Sequence, residues 1–273
     1  MQAAKIAKRR GNPMAIRELY CAARAGNAGP GGTRLAHQGT PPAIRKVTTM
    51  AEAVLFDFGG TLDADGRPWC DRFHAGYRAA GGRLGLVGFS EHFSLSDRML
   101  ARQPGISGFG MGRMVAAQIE LLRSLLPDGG SLDTAQWSWG FLRDTREAVA
   151  RNRVVLDQLC QQFELGVVAN FTGNLRPCLE ELGLEDCFAV VFDSAVVGLR
   201  KPDFRLFRAA FDALGRPAEA CWMVGDNPVS DIEPAARLGC ATCWLAPAER
   251  PLPAGLAPTR RIAAFTELPA VLD

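Results

Sequence analysis

Short apolar runs punctuate the chain from about residue 53 onward, and each one has the composition of a buried strand. The runs hold four to six residues and are rich in β-branched or aromatic types. Continuous apolar runs of this length are typical of strands covered on both faces, as in a parallel sheet. The predicted strands are Ala53–Phe58, Leu165–Ala169, Phe188–Phe192, Cys221–Val224 and Ala241–Leu245.

The stretches that separate the later runs have the spacing of amphipathic helices, and a glycine follows the end of each stretch. The predicted helices are Leu175–Leu182, Phe204–Leu214 and Asp231–Leu238. Consecutive strands joined by single helices run parallel, with helices on both faces of the sheet. The predicted fold class is therefore α/β, a doubly wound parallel sheet with a Rossmann-like topology.

Residues 66–161 break this alternation. Helical periodicity is clear in Met114–Leu126 and Arg143–Gln161, and no convincing buried strand interrupts the region. An insertion after the first strand lies beside the carboxyl end of that strand, where it can act as a lid. We therefore predict an α/β core of residues 50–65 and 162–273, with an inserted α-helical cap of residues 66–161.

Several side chains of the predicted cap are candidates for substrate contact, with packing between cap helices as the competing interpretation. The aromatic and histidine candidates are Trp69, Phe73, His74, Tyr77, His92, Trp137 and Trp139. Four arginines are candidates for binding a second anionic group, or are simply solvated: Arg83, Arg98, Arg102 and Arg113.

The first 49 residues differ from the rest of the chain in charge and pattern. Residues 1–50 hold nine Lys or Arg against one acid, Glu18, whereas the remainder holds 22 Lys or Arg against 28 Asp or Glu. Glycine, proline and the lack of a sustained period predict a disordered basic arm. We favour a start assigned too early, with Met50 as the natural beginning, or a functionless tail. A transit-like peptide and a nucleic-acid-binding arm are the alternatives, and no aromatic residues are interleaved as in single-strand binders.

Composition restricts the class of protein. The chain has 273 residues, of which 48% are hydrophobic, and its net charge is +2. No window has the roughly 18 apolar residues that a membrane span requires. The eight cysteines are scattered, which favours reduced thiols in a cytoplasm over a disulfide framework. For the single C-x-x-C pair, Cys240 and Cys243, packing in the core is the preferred interpretation and zinc binding is the alternative. Nothing in the pattern indicates an oligomeric state.

Four segments carry the candidate chemistry, each at the end of a predicted strand or the start of a helix. In the first, Asp57 follows an apolar run and precedes two glycines and a threonine. A carboxylate in this place can be a nucleophile or a metal ligand, and glycines let the backbone approach an anion closely. The other segments are Val167-Val168-Ala169-Asn170-Phe171-Thr172, Gly198-Leu199-Arg200-Lys201-Pro202-Asp203 and Gly225-Asp226-Asn227-Pro228-Val229-Ser230-Asp231.

In this order, the four segments resemble the motifs of the haloacid dehalogenase (HAD) superfamily of phosphohydrolases. Those motifs are Asp-x-Asp-x-Thr, a strand ending in Ser or Thr, a Lys-Pro pair before a helix, and Gly-Asp-x-x-x-x-Asp. Each motif alone is weak, but four in order over residues 53–245 form a specific signal. The resemblance implies a hydrolase of the Rossmann-like fold with a helical cap between the first and second motifs.

The resemblance also implies roles for individual residues. Asp57 would attack phosphorus and form an aspartyl-phosphate, Lys201 would neutralise nucleophile and phosphoryl group, and Thr61 would fix the loop or bind phosphate. The implied phosphoryl-binding residues are Asn170, Thr172 and Gly60. The implied Mg²⁺ ligands are the carboxylates of Asp57 and Asp226, the main-chain carbonyl of Gly59 and, from the outer shell, Asp231.

Two positions depart from the family pattern. Gly59 stands where the second acid of the first motif belongs, and Ala169 stands where a Ser or Thr hydroxyl would bind a phosphoryl oxygen. The second acid protonates the leaving alcohol and later activates water, which contributes ~10²–10⁴-fold to the rate. Asp63 and Asp65 are close enough in sequence to be considered as replacements. Restoring the acid by Gly59→Asp is predicted to raise the rate tenfold or more.

Two branches of the superfamily work without that acid. Dehalogenases use no metal, and the extra carboxylate of Asp226 beside the nucleophile argues against them because it needs a cation. Phosphonate hydrolases use a cap lysine, and residues 62–165 contain none. The sequence thus predicts a Mg²⁺-dependent phosphatase or phosphotransferase that acts on a small phosphorylated metabolite. The alternative is a pseudoenzyme that binds a phospholigand or a partner without turnover.

Overall fold

Six parallel strands form a single sheet in the computed structural model of the protein, which describes residues 51–272. The predicted basic arm, residues 1–49, lies outside the described residues. The strands are β1 (Ala53–Phe56), β2 (Glu164–Ala169), β3 (Val190–Asp193), β4 (Cys221–Gly225), β5 (Ala241–Leu245) and β6 (Arg260–Ile262). All neighbouring pairs are parallel.

The strand order is β3-β2-β1-β4-β5-β6, so the chain winds outward from β1 in one direction and then returns to wind in the other. Because such crossovers are right-handed, the helices of the two halves cover opposite faces. The order reverses between β1 and β4, and ligands of open α/β sheets bind outside the carboxyl ends of strands at such a switch point. Every residue of β1 and β4 is buried. The predicted doubly wound α/β fold is confirmed.

A helical insertion separates β1 from β2. Its helices are α1 (Trp69–Ala79), α2 (Leu86–Leu100), α3 (Met111–Leu125) and α4 (Thr134–Leu159). The helices pack α1 on α4, α2 on α3 and α3 on α4. The two helices predicted here, Met114–Leu126 and Arg143–Gln161, correspond to α3 and α4, and α4 begins nine residues earlier than predicted.

The remaining helices connect the later strands: α5 (Leu175–Glu181), α6 (Ser194–Val197), α7 (Phe204–Leu214) and α8 (Glu233–Arg237). The predicted helix Asp231–Leu238 is shorter because the chain first forms a tight turn over Pro228–Ile232. The predicted first strand ends two residues early, since the chain turns into a loop after Asp57. The edge strand β6 was missed; two of its three residues are exposed arginines.

The cysteines that the structure describes form no disulfide with one another. All seven that the structure describes are free. Cys240 and Cys243 are buried, and the pair is not part of the cluster of metal-ligating side chains found in the described residues. Across residues 51–272, no helix combines the length and apolarity needed to cross a bilayer.

Candidate active site

Three carboxylates and one ammonium meet at the carboxyl ends of β1 and β4. Asp57 directly follows β1, and Asp226 directly follows β4. Asp231 comes from the turn Pro228–Ile232, and Lys201 from the loop between α6 and α7. The Lys201 Nζ atom lies 2.6 Å from Asp57 Oδ1 and 2.7 Å from Asp231 Oδ1. The structure therefore brings together four side chains that are up to 174 residues apart in sequence.

The cluster carries more negative than positive charge in a buried place. All four side chains are at least 90% buried. Burial raises the pKa of Asp57 to about 6, although the charge of Lys201 opposes the rise. Burial, together with the charges of Asp57 and Asp231, also raises the pKa of Asp226 well above its ordinary value. Burial lowers the pKa of Lys201, but the charges of Asp231 and Asp57 outweigh this and raise that pKa.

The donor set fits a divalent cation. Asp57, Asp226 and Asp231 each offer a carboxylate oxygen, and these atoms all lie within 4.8 Å of one another. Mg²⁺ prefers carboxylate oxygens and keeps several waters. When all three carboxyl groups are ionised, they and the one ammonium leave a net charge of about −2, which a divalent cation would neutralise. Among the described residues, none donates a hydrogen bond to the Asp226 carboxylate, which lines a pocket.

The loop after β1 depends on a glycine at position 60. Gly60 has a φ of +95°, a conformation that other residues rarely adopt. A Cβ atom there would lie 2.8 Å from Asp226 Oδ2. The next residue, Thr61, is fully buried, and its hydroxyl donates a 3.4 Å hydrogen bond to Asp57 Oδ2. This position fits the predicted role of Thr61 in fixing the loop.

The loop is also tied down by Asp63, which is fully buried. The Gly60 N–H donates to Asp63 Oδ1 at 2.7 Å. Asp63 Oδ2 accepts from Trp69 Nε1 at 2.7 Å and from Arg72 Nη1 at 2.5 Å. Arg72, in turn, donates to the Thr145 hydroxyl at 2.6 Å. Asp63 therefore joins the loop after β1 to helix α1 and, through Arg72, to helix α4 of the insertion.

Asp65 is directed to a different part of the molecule. Its carboxylate pairs with Arg151 at 2.7 Å and accepts the Phe265 N–H at 2.9 Å. Neither Asp63 nor Asp65 lines the pocket that holds Asp57. The two acids considered from the sequence as replacements for the missing one are thus both occupied elsewhere.

The end of β2 supports the lysine loop. The Asn170 side chain accepts a hydrogen bond from the Lys201 N–H at 2.8 Å and donates one to the Lys201 carbonyl at 3.0 Å. The Thr172 hydroxyl donates to Asn174 Oδ1 at 2.6 Å. Asn170 and Thr172 both line the pocket, whereas the buried Ala169 does not. Asn170 therefore positions Lys201, in addition to the phosphoryl contact predicted for it.

A pocket of about 240 Å³ lies over the cluster. Its polar lining from the core includes Asp57, Lys201, Asp226 and Asn170. The insertion contributes a mainly apolar part of the wall: Pro68, Trp69, Phe93, Asp97, Leu100 and Met114. Residues of the insertion thus form part of the pocket that Asp57 lines.

One lining residue, Asp97, was not singled out from the sequence. It is on α2, four residues after Phe93 and three residues before Leu100, so the three side chains share one face of the helix. An acid on an otherwise apolar face was the available signal. Burial raises the pKa of Asp97, while the charges of Arg200 and Arg98 oppose the rise.

The cap side chains considered for substrate contact separate into three groups. Trp69 lines the pocket. Phe73, Tyr77 and Trp137 are buried among the helices of the insertion, and the rings of His74 and His92 are bonded to main-chain carbonyls. Trp139 is 62% exposed, away from this pocket. The four arginines named as candidates for a second anion are exposed and do not line the pocket.

Comparison with known proteins agrees with this geometry. A family model described as haloacid dehalogenase-like hydrolase matches residues 51–239. Pyrimidine 5'-nucleotidase YjjG of Escherichia coli is 36% identical over 120 residues, which are 43% of this chain and 53% of that protein. The chain thus spans about half of that relative's length.

Two further likenesses cover more of the chain. The ribulose-1,5-bisphosphate 5-phosphatase of Halopiger xanaduensis is 28% identical over 211 residues, which are 73% of this chain and 87% of that protein. Among solved structures, the L-2-haloacid dehalogenase RSc1362 has a TM-score of 0.55 at 22% identity, over 82% of this chain and 99% of that chain. This second likeness concerns the fold alone.

Proposed function

Because this chain belongs to the haloacid dehalogenase-like hydrolases, we propose that it is a Mg²⁺-dependent phosphatase or phosphotransferase acting on a small phosphorylated metabolite. The observation that carries the proposal is the convergence of the buried side chains Asp57, Lys201 and Asp226 on one pocket. Relatives named as phosphatases and as a nucleotidase support a phosphomonoester substrate. The pocket of about 240 Å³ suits a small organic group.

In the proposed reaction, Asp57 is the nucleophile. One of its oxygens attacks phosphorus, the bond from phosphorus to the leaving oxygen breaks, and an aspartyl-phosphate forms. Lys201 holds Asp57 Oδ1 at 2.6 Å, so it keeps the nucleophile oriented and places a positive charge next to the transferring group. Asp231 pairs with the Lys201 ammonium, and Asn170 accepts a hydrogen bond from the Lys201 main-chain N–H.

The metal would bind the carboxylates of Asp57 and Asp226 and the predicted Gly59 carbonyl, with Asp231, which pairs with Lys201, in the outer shell. When bound, Mg²⁺ neutralises charge on the phosphoryl oxygens during transfer. Asp226 is also the residue that opposes a dehalogenase assignment, because a second buried carboxylate next to the nucleophile disfavours ionisation of both without a cation. The free, scattered thiols support the cytoplasmic location predicted from the sequence.

The second candidate, a non-catalytic phospholigand-binding protein, is favoured by one observation. The indole of Trp69 lies against Gly59, where the family acid would project. A site that lacks this acid, and that has Ala169 in place of a Ser or Thr hydroxyl, retains the charges for binding a phosphate but lacks two groups that assist turnover.

Steady-state assays distinguish the two candidates. The full chain is incubated with p-nitrophenyl phosphate or acetyl phosphate in Mg²⁺ and, separately, in excess chelator. The proposed function predicts turnover that needs Mg²⁺ and is lost in Asp57→Asn, while the matched variant Asp65→Asn, whose carboxylate is turned away from the pocket, remains active. Saturable phosphate binding without turnover would support the second candidate.

A further inference from the structure

The missing general acid has a substitute in the insertion: we propose that Asp97 of α2 protonates the leaving oxygen and then activates water. This inference rests on the proposed phosphoryl-transfer function and assigns its acid–base residue. Asp97 lines the same pocket as Asp57, although the two residues are 40 positions apart in sequence.

The usual place for the acid is closed. An ideal Cβ at Gly59 would lie 3.1 Å from Trp69 Nε1 and 3.3 Å from two further indole atoms. The indole is held there by its 2.7 Å hydrogen bond to Asp63, which also pairs with Arg72. A side chain at position 59 would therefore require the indole to shift, and since residue 59 is a glycine, another element must supply the proton.

The other titratable side chains of the pocket already have tasks. Asp57 is the nucleophile, Lys201 is bonded to two carboxylates, and Asp226 is a candidate metal ligand. Within residues 51–272, the insertion contributes one titratable side chain to the pocket lining, and that side chain is Asp97. Asp97 is thus the one titratable side chain of the described pocket lining that has no other task.

The surroundings of Asp97 suit a proton donor. Its neighbours on the pocket wall, Phe93 and Leu100, are apolar, and partial burial raises the pKa of its carboxyl. The charged groups near it are Arg98 on the same helix and Arg200 on the core loop, whose positive charges limit this rise. A carboxyl that keeps its proton at higher pH than usual can act as a general acid.

The proposed step conserves protons. As the Asp57 oxygen bonds to phosphorus, the bond between phosphorus and the leaving oxygen breaks, and the Asp97 proton passes to that oxygen, which leaves as an alcohol. Water then enters and loses a proton to the Asp97 carboxylate as it attacks the aspartyl-phosphate. The bond between phosphorus and Asp57 breaks, inorganic phosphate is released, and both carboxyl groups return to their starting states.

Phosphate monoesters that differ mainly in the leaving group provide the test. Single-turnover rates of Asp57 phosphorylation are measured with p-nitrophenyl, phenyl and benzyl phosphate, because a good leaving group needs no acid and a poor one does. In Asp97→Asn we expect a loss of about 100-fold or more with benzyl phosphate and a loss at least tenfold smaller with p-nitrophenyl phosphate. Because the second step also loses its base, phosphorylated Asp57 should accumulate in this variant with p-nitrophenyl phosphate.

Two variants complete the design. Asp97→Glu should recover part of the benzyl phosphate rate, and Glu91→Gln, which removes an exposed acid of the same helix, should match the wild-type protein. An Asp97→Asn protein that is folded and loses the same factor with all three substrates, or loses nothing, would overturn the role of Asp97 alone. A wild-type protein that never phosphorylates Asp57 would instead overturn the proposed function and this inference together.

Discussion

The indole of Trp69 lies against the α-carbon of Gly59, with Nε1 3.1 Å from the position that a Cβ atom would occupy. Gly59 has a φ of −78° and a ψ of 111°, which any residue can adopt. The backbone therefore does not require glycine here, but a larger residue would press against the neighbouring indole and require it to shift. Loss of the family acid and the placement of Trp69 are two parts of one local arrangement.

This contact changes the expected outcome of restoring the acid. Gly59→Asp alone should gain less than the tenfold predicted from the sequence and should lower the melting temperature, because the indole must move and weaken its bond to Asp63. Because Asp97 is proposed to fill the acid role, the gain is expected in its absence: in an Asp97→Asn background, Gly59→Asp combined with Trp69→Leu should be at least tenfold faster than Trp69→Leu, about 1.4 kcal/mol of barrier. The measurement is kcat/KM for phenyl phosphate. A tenfold gain in Gly59→Asp alone, with unchanged melting temperature, would contradict this explanation.

Lys201→Met should destabilise the protein and slow its turnover. Removing the ammonium leaves Asp57 and Asp231 facing each other without their shared partner. We expect a loss of about 3 kcal/mol in the free energy of unfolding and a fall in turnover of about 100-fold or more. Denaturant unfolding without Mg²⁺ measures the first quantity. The matched control is Arg237→Met, which removes an exposed pair with Glu233 and should cost no more than about 1 kcal/mol.

Mg²⁺ should stabilise the protein more at neutral than at acidic pH. The pKa of Asp57 is raised from 3.8 to about 6, so its contribution to stability is full below pH ~4 and is lost as pH rises through about 6. Mg²⁺ binds the ionised carboxylates and offsets that loss. The melting temperature is measured with Mg²⁺ and with chelator at about pH 5 and about pH 7.5. A larger Mg²⁺-induced increase in melting temperature at the lower pH would contradict the prediction. Asp226→Asn should reduce this increase at both pH values.

Asp63→Asn and Asp65→Asn should have different effects, although the two residues are neighbours. Asp63 binds the Gly60 N–H, Trp69 and Arg72 without facing the pocket, so its loss should lower both stability and turnover while leaving the pH–rate profile unchanged in shape. Asp65 pairs with Arg151 at the surface, and its substitution should leave turnover within about twofold, since such pairs contribute little. A changed pH profile in either variant would indicate a role in proton transfer.

The central strands and the charged cluster were predictable because local patterns determine them. The apolar runs of β1, β2, β4 and β5 identify buried strands without reference to the rest of the chain. Asp57 and Asp226 each directly follow one of these strands, and the carboxyl ends of parallel strands lie at one edge of a sheet. Recognition of the family motifs supplied Lys201 and Asp231, which follow no strand directly.

What the sequence did not reveal depends on contacts between distant residues. The edge strand β6 is defined by pairing with β5, since its own three residues lack an apolar pattern. The contact of Trp69 with Gly59 depends on how α1 packs against the loop after β1. Asp97 is recognisable as an acid on a helix, but its place in the pocket is decided by the packing of α2. Side-chain direction in the insertion is a property of that packing.

The central claim is that Asp57 becomes covalently phosphorylated, and it can be measured directly. The full chain is mixed with Mg²⁺ and acetyl phosphate, quenched in acid, and digested for mass spectrometry of the peptide that contains Asp57. We predict one phosphoryl group on Asp57 in the wild-type protein and in Asp65→Asn, and none in Asp57→Asn or without Mg²⁺. Turnover of the substrate without any phosphorylated Asp57, or phosphorylation that persists in Asp57→Asn, would contradict the account.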